Sequence, residues 1–269
     1  MPSLLKPDFE KDVVYLVQFP RAKCTISFSP YSLKVETFLR MFDLKYENID
    51  NKFQKMSVRK QAPFVEFNGQ HIPDSDLIID TLCKHFNLKD AQPKTDDEQW
   101  QTRALSKLLD QSLIWAIAYD RAKNLKDTLF HKEGWGEKLP APMKYLKPVL
   151  LWKFTGLLKS RLQSQGYGRL TPEEVDKEAH ADLKALSNFL GKKQYMLGKR
   201  LTAFDASCFG HLAQALYGPH EAERYGSYIC EECPNLMEYM ERIKKQFWPD
   251  WDSECENGTM SSDWKAPKQ

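Results

Sequence analysis

The eleven residues Ala62-Pro63-Phe64-Val65-Glu66-Phe67-Asn68-Gly69-Gln70-His71-Ile72 constrain the fold more than any other part of the chain. Apolar and polar side chains alternate on both sides of Asn68-Gly69. That dipeptide readily takes the two positive-φ positions of a tight turn, so the segment predicts a β-hairpin. Asp74-Ser75 follows at once and opens a helix whose inner face is Ile79, Leu82, Cys83 and Phe86.

Upstream, Val13 to Val17 is an apolar, β-branched run with the length of a buried strand. Phe19-Pro20 ends it and a polar loop runs from Arg21 to Phe28. Ser29-Pro30 then starts a helix, with a serine cap and a proline at the first helical position. Val35, Phe38, Leu39 and Phe42 form its core face. Lys45 to Ile49 supplies a second strand. The order β-α-β, then β-β-α, is a thioredoxin-type layout over residues 13–92, behind an N-terminal tail at 1–12.

Lys89 to Asp97 is polar and contains Pro93, which predicts a linker. Residues 98–248 then read as all-helical. Leu105, Leu108, Leu109, Ser112, Trp115, Ala116 and Tyr119 fall on one stripe. His131 to Lys147 reads as irregular. Thr171-Pro172-Glu173-Glu174 and Thr202-Ala203-Phe204-Asp205 are helix starts of the capping-box kind, and Asn235 to Phe247 is amphipathic. The polar residues 249–269 predict a flexible tail.

Composition narrows the function classes. With 39 Lys and Arg against 37 Asp and Glu, the charge of +2 argues against a nucleic-acid partner held by bulk electrostatics. No apolar run approaches the roughly 20 residues of a spanning helix, and the opening residues lack the pattern of a secretory leader. These features predict a cytoplasmic protein with six free cysteines. Cys230-Glu-Glu-Cys233 has metal-like spacing but no second ligand pair, so no metal is expected. The Asn257-Gly258-Thr259 sequon has no role without secretion.

Gln61-Ala62-Pro63-Phe64-Val65, Asp74-Ser75 and Thr202-Ala203-Phe204-Asp205 stand in the order seen in glutathione transferases, and the chain resembles that family from Val13 to Phe247. Phe19-Pro20-Arg21, the helix start Ser29-Pro30-Tyr31-Ser32-Leu33-Lys34-Val35-Glu36-Thr37 and the string Gly166 to Glu174 resemble its failed-axon-connections and metaxin-related branch in particular. The resemblance implies an α/β thioredoxin-like N-terminal domain and an all-α C-terminal domain, with a glutathione-sized cleft between them.

It also implies site residues. Ala62 offers its backbone N–H and C=O to the cysteinyl part of glutathione, and the Ala62-Pro63 bond is cis. Asp74 and Ser75 grip the γ-glutamyl end, with Ser75 and the helix N-terminus taking the α-carboxylate. Asp stands where Glu or Gln is commoner, which shortens the reach. Gln61 meets the glycyl end. Read without the resemblance, the same residues are a strand-edge proline and an ordinary helix cap.

Ser29 is the candidate catalytic residue: a hydroxyl and the N-terminal potential of a helix together stabilise a thiolate. The long loop Pro20 to Phe28 leaves the register open, so Ser27 or Tyr31 is an alternative donor. Cys24 is misplaced for a cysteine-type site. Tyr31 and Tyr119 are candidates for the second-substrate pocket, whereas the Thr202–Asp205 box belongs to folding.

The function implied is conjugation or reduction of a small hydrophobic electrophile, with glutathione as co-substrate and a homodimer as is common in such enzymes. The alternative is a non-catalytic adaptor in protein or membrane-surface assembly, as in the metaxin relatives. Lys144 to Arg161, where basic residues interleave with Leu, Val, Trp and Phe, reads first as a core helix with one solvated face. Its other reading is a peripheral contact with an acidic membrane.

Overall fold

Strand β1 (Val14–Gln18) is buried along its whole length, as a continuous apolar run between two neighbours requires. The computed structural model describes residues 4–136, 138–219 and 221–265, without the side chains of Pro142 and Glu223. Helix α1 (Pro30–Met41) leads to β2 (Tyr46–Asp50), and the hairpin β3 (Phe64–Phe67) and β4 (Gln70–Pro73) leads to α2 (Ser75–His85). The sheet order is β2-β1-β3-β4; β1 and β2 are parallel and the other pairs antiparallel. Asn68 and Gly69 carry φ of 48° and 77°, the two-residue turn expected of Asn-Gly. The Ala62-Pro63 bond is cis. Residues 4–12 form a strap along the hairpin: Leu5 and Lys6 donate backbone N–H groups to the Glu66 carboxylate at 2.7 and 2.8 Å.

Helices α3 (Asp96–Leu108) and α4 (Ile114–Lys123) are joined by a π-helical turn at Leu109–Leu113, and α5 (Ala141–Tyr145) and α6 (Lys147–Gln165) follow. Then come α7 (Pro172–Leu190), α8 (Ala203–Leu216), α9 (Ser227–Glu232), α10 (Pro234–Phe247) and α11 (Trp251–Asn257). This is a thioredoxin-like domain followed by an all-α domain. In the α8 box, the Asp205 carboxylate accepts from the Thr202 N–H at 2.8 Å and hydroxyl at 2.7 Å, and from the Met196 N–H at 2.8 Å.

Helix α1 lies against α8, and every residue of it except Tyr31 is buried. Gly210 allows the contact: a Cβ there would sit 2.5 Å from the Pro30 carbonyl oxygen. One apolar cluster therefore continues from β1 and α1 into α8 and α10.

Two expectations need correction. The segment after Pro249 is not a loose tail within its described part. Trp251, Glu254 and Cys255 of α11 are buried, because Glu254 pairs with Arg21 at 3.2 Å and Trp251 packs edge-on against Trp248 and Phe209. Beyond α11, the Met260 carbonyl accepts from Asn48 at 3.2 Å; residues 266–269 lie outside the described residues, as do residues 1–3 of the N-terminal tail. The second correction is α6. Only Leu162 is buried, so it is no core helix.

Candidate functional site

Ser29 caps α1, its hydroxyl oxygen accepting the Ser32 N–H at 3.3 Å. An N-cap serine spends its oxygen in this way and keeps its own hydroxyl hydrogen. Tyr31, next along the helix, is the residue of α1 left half-buried. Its ring stands edge-on to the His211 ring of α8 at 5.5 Å. Burial, and then the charges of Asp110, Asp76 and Asp74, push its phenol well above the usual range, so it stays protonated.

The start of α2 lies against α1, where Asp76 pairs with Lys34. Asp74 has φ of 75°, and its carboxylate accepts the N–H groups of Asp76 at 3.0 Å and Leu77 at 3.4 Å. Its other oxygen lies 3.5 Å from Arg59 of the loop before the cis-proline. Ser75 is buried, and its hydroxyl has no partner among the described residues. The turn before Pro63 is closed by Ser57, whose N–H donates to the Gln61 carbonyl at 2.9 Å and whose hydroxyl accepts the Gln61 N–H at 3.2 Å. That leaves the Gln61 side chain in solvent and Ala62 half-buried.

Three residues that sequence reasoning missed tie these ends together. Lys34, buried on α1, pairs with Asp76 of α2. Asp110 sits in the π-helical turn, its Oδ1 3.3 Å from His211 Nε2. Burial opposes ionisation of Asp110, yet His211, Lys34 and Lys107 outweigh it and hold the carboxyl below its usual range. The available signals were a histidine inside the apolar α8 and an aspartate interrupting the Leu105–Tyr119 stripe. π-turns recur at functional sites.

The loop from Pro20 to Phe28 is pinned. The Ser27 carbonyl accepts from Gln214 at 3.0 Å and the Phe28 carbonyl from Arg121 at 3.0 Å, with Arg121 itself paired to Glu221. Trp135 donates to the Pro20 carbonyl at 2.9 Å and packs edge-on against Phe28. Ser27 is fully buried, its hydroxyl accepting the Ser29 N–H at 3.2 Å, so its side chain supports the cap from beneath. Burial pushes the Cys24 thiol up to about 12, which makes it a poor nucleophile.

The structure thus sets Tyr31 and Lys34 of α1 within reach of the charges of Asp74 and Asp76 at the start of α2, while Ser29 caps α1, Ser75 opens α2, and Gln61 and Ala62 lie on the turn before β3. Tyr119 is placed elsewhere. Its hydroxyl donates to the Leu170 carbonyl at 3.2 Å and its ring lies under Lys123. The π-turn inserts one residue before it and so rotates the rest of the stripe by about 100°.

Comparison with known proteins agrees with this architecture. Residues 30–128 match the family description "Glutathione S-transferase N-terminal domain" and residues 179–243 "Glutathione S-transferase, C-terminal domain". A glutathione S-transferase of Ceriporiopsis subvermispora, solved in complex with glutathione, superposes with a TM-score of 0.60 at 14% identity, over 87% of this chain and 97% of that one. The fold is therefore that of the glutathione transferases.

Within it, the chain belongs to the glutathione-transferase-like family of failed axon connections and the metaxins. It is 36% identical to Failed axon connections of Drosophila melanogaster over 93% of this chain, and spans 62% of that protein's length. It is 24% identical to Metaxin-2 of Mus musculus over 82% of both chains. An isoprene-epoxide–glutathione S-transferase of Rhodococcus is 28% identical over 81% of this chain and 92% of its own. Among the described residues, no helix is long and apolar enough to cross a membrane.

Proposed function

We propose that the chain binds glutathione between the starts of α1 and α2 and uses its thiolate on a small hydrophobic electrophile. One observation carries the reading. Two serine hydroxyls, Ser29 and Ser75, stand at the N-terminal ends of two helices with donor capacity that no other described residue consumes. Helix N-termini favour anions, and glutathione brings two to such a site, a thiolate and an α-carboxylate.

In this arrangement Ser75 takes the γ-glutamyl carboxylate while Asp74 faces the ammonium beside it. The backbone of Ala62 receives the cysteinyl unit and Gln61 the glycyl end. Ser29 donates to the sulfur and lowers the thiol pKa. With an epoxide, the class named for the Rhodococcus relative, the sulfur attacks a ring carbon. A C–S bond forms, the C–O bond breaks, and the oxygen leaves with the electron pair. In this reading Tyr31, its phenol protonated, hydrogen-bonds that oxygen until it takes a proton from water.

A second reading is the non-catalytic adaptor, and one observation favours it. The Asp74 carboxylate already occupies the Asp76 and Leu77 N–H groups, part of the positive end that a ligand carboxylate would use. Calorimetric titration with glutathione, followed by a panel of small epoxides and other electrophiles, separates the two. Uptake with turnover supports the enzyme, and uptake without turnover the adaptor. No uptake at millimolar glutathione overturns the proposed site.

A further inference from the structure

We propose that α5 and α6 form a docking face that lays the protein on the surface of an anionic lipid bilayer. Among the described residues, eleven large apolar side chains are exposed, and six of them fall between Tyr145 and Leu157. Tyr145 is 85% and Trp152 76% exposed. Val149, Trp152, Lys153, Gly156, Leu157 and Ser160 follow the i, i+3, i+4 spacing of one helix face, opposite the buried Leu162. A Cβ added at Gly156 would meet nothing within 4 Å, so the middle of that face is open.

Charge identifies the occupant. From Lys138 to Pro172 the chain carries five lysines, two arginines and no acid, although its total charge is only +2. Among the described residues, Lys144, Lys147, Lys153, Lys159 and Arg161 have no ion-pair partner. A second copy of the chain fits poorly. A two-fold axis through this patch would set basic residues against their own images with no acid to pair them. A bilayer with anionic headgroups meets both properties. Tryptophan and tyrosine suit the headgroup level, and lysine and arginine stems lie along the apolar surface while their charges reach the phosphates.

A cavity of about 640 Å³ continues the face at the start of α6. Lys126, Lys132 and Lys147 ring it over Phe130 and Leu151, and Asp127 is its single acid. A lipid phosphate above an apolar floor matches that lining.

The test is co-sedimentation of the full chain with phosphatidylcholine vesicles and with mixed phosphatidylcholine–phosphatidylserine vesicles. Binding is expected only to the mixed vesicles and should weaken as salt rises. Trp152→Ser should lower the partition by roughly tenfold or more. Lys153→Glu with Lys159→Glu should lower it on the order of twentyfold. Trp100→Ser, which removes an exposed tryptophan of α3 outside the face, should leave it unchanged. The proposal is overturned by a parent protein that ignores the mixed vesicles, or by one that binds both kinds equally. It is also overturned by a dimer that Trp152→Ser dissociates without any vesicle binding.

Discussion

Arg21 and Glu36 form a two-pronged ion pair, Nη1–Oε2 and Nη2–Oε1 both 2.6 Å, with neither side chain reaching solvent. Burial alone would raise the Glu36 pKa. The Arg21 charge and hydrogen bonds, followed by Arg40 and Asn48, outweigh it and depress the group from 4.5 to about 2. A depressed carboxylate contributes stability that is fully present above its unfolded pKa. That contribution fades as pH falls through the folded value. Urea unfolding should therefore show on the order of 3 kcal/mol lost between pH 4.5 and about 2. In Glu36→Gln that slope should be absent.

The same guanidinium holds α11, since Arg21 Nε donates to Glu254 at 3.2 Å. Arg21→Met leaves two buried carboxylates without their partner and should cost about 3–5 kcal/mol. Limited proteolysis should then cut first beyond Pro249. The double variant Arg21→Met/Glu36→Leu should lose less than Arg21→Met alone, because it removes a charge that the single variant strands. Equal losses would mean that the pair does not couple.

This network marks where the sequence stopped being legible. Local signals carried the hairpin, the Ser29 cap and the Asp205 box, since each depends on residues within a few positions. Arg21 and Glu254 are 233 positions apart, and a lone polar residue in a loop or tail does not announce such a partner. The stripe ending at Tyr119 assumed an unbroken 3.6-residue period, and the π-turn at Leu109–Leu113 shifted its phase. At the site, Ser29, Asp74 and Ser75 were readable as helix starts. Lys34, Asp110 and His211 were not, because their role comes from contacts among α1, α2, α8 and the π-turn.

Asp182 shows the opposite sign. Burial raises its pKa to about 6, and its Oδ2 lacks a hydrogen-bond partner. A raised carboxylate penalises the folded state once pH exceeds the unfolded value. Asp182→Asn should thus stabilise the protein by about 1–2 kcal/mol at neutral pH, after discounting for its partial exposure, and by little near pH 4. Thermal melts at the two pH values check this.

Ser29→Ala should lower any conjugation rate by about 10²–10³, the usual effect of losing one preorganised donor to a developing anion. Glutathione affinity should change little, since the hydroxyl serves the sulfur and not the ends of the peptide. Steady-state kinetics at saturating glutathione measures the effect. A variant as fast as the parent would move the donor role to Tyr31.

The most direct test is the dissociation constant for glutathione, measured by calorimetry for the parent and for Ser75→Ala. The hydroxyl has no structural bond to lose, so the variant should fold as the parent does. If Ser75 takes the γ-glutamyl carboxylate, its removal should weaken binding by about 1–3 kcal/mol, on the order of ten- to a hundredfold. An unchanged constant, or a parent that takes up no glutathione, would contradict the account.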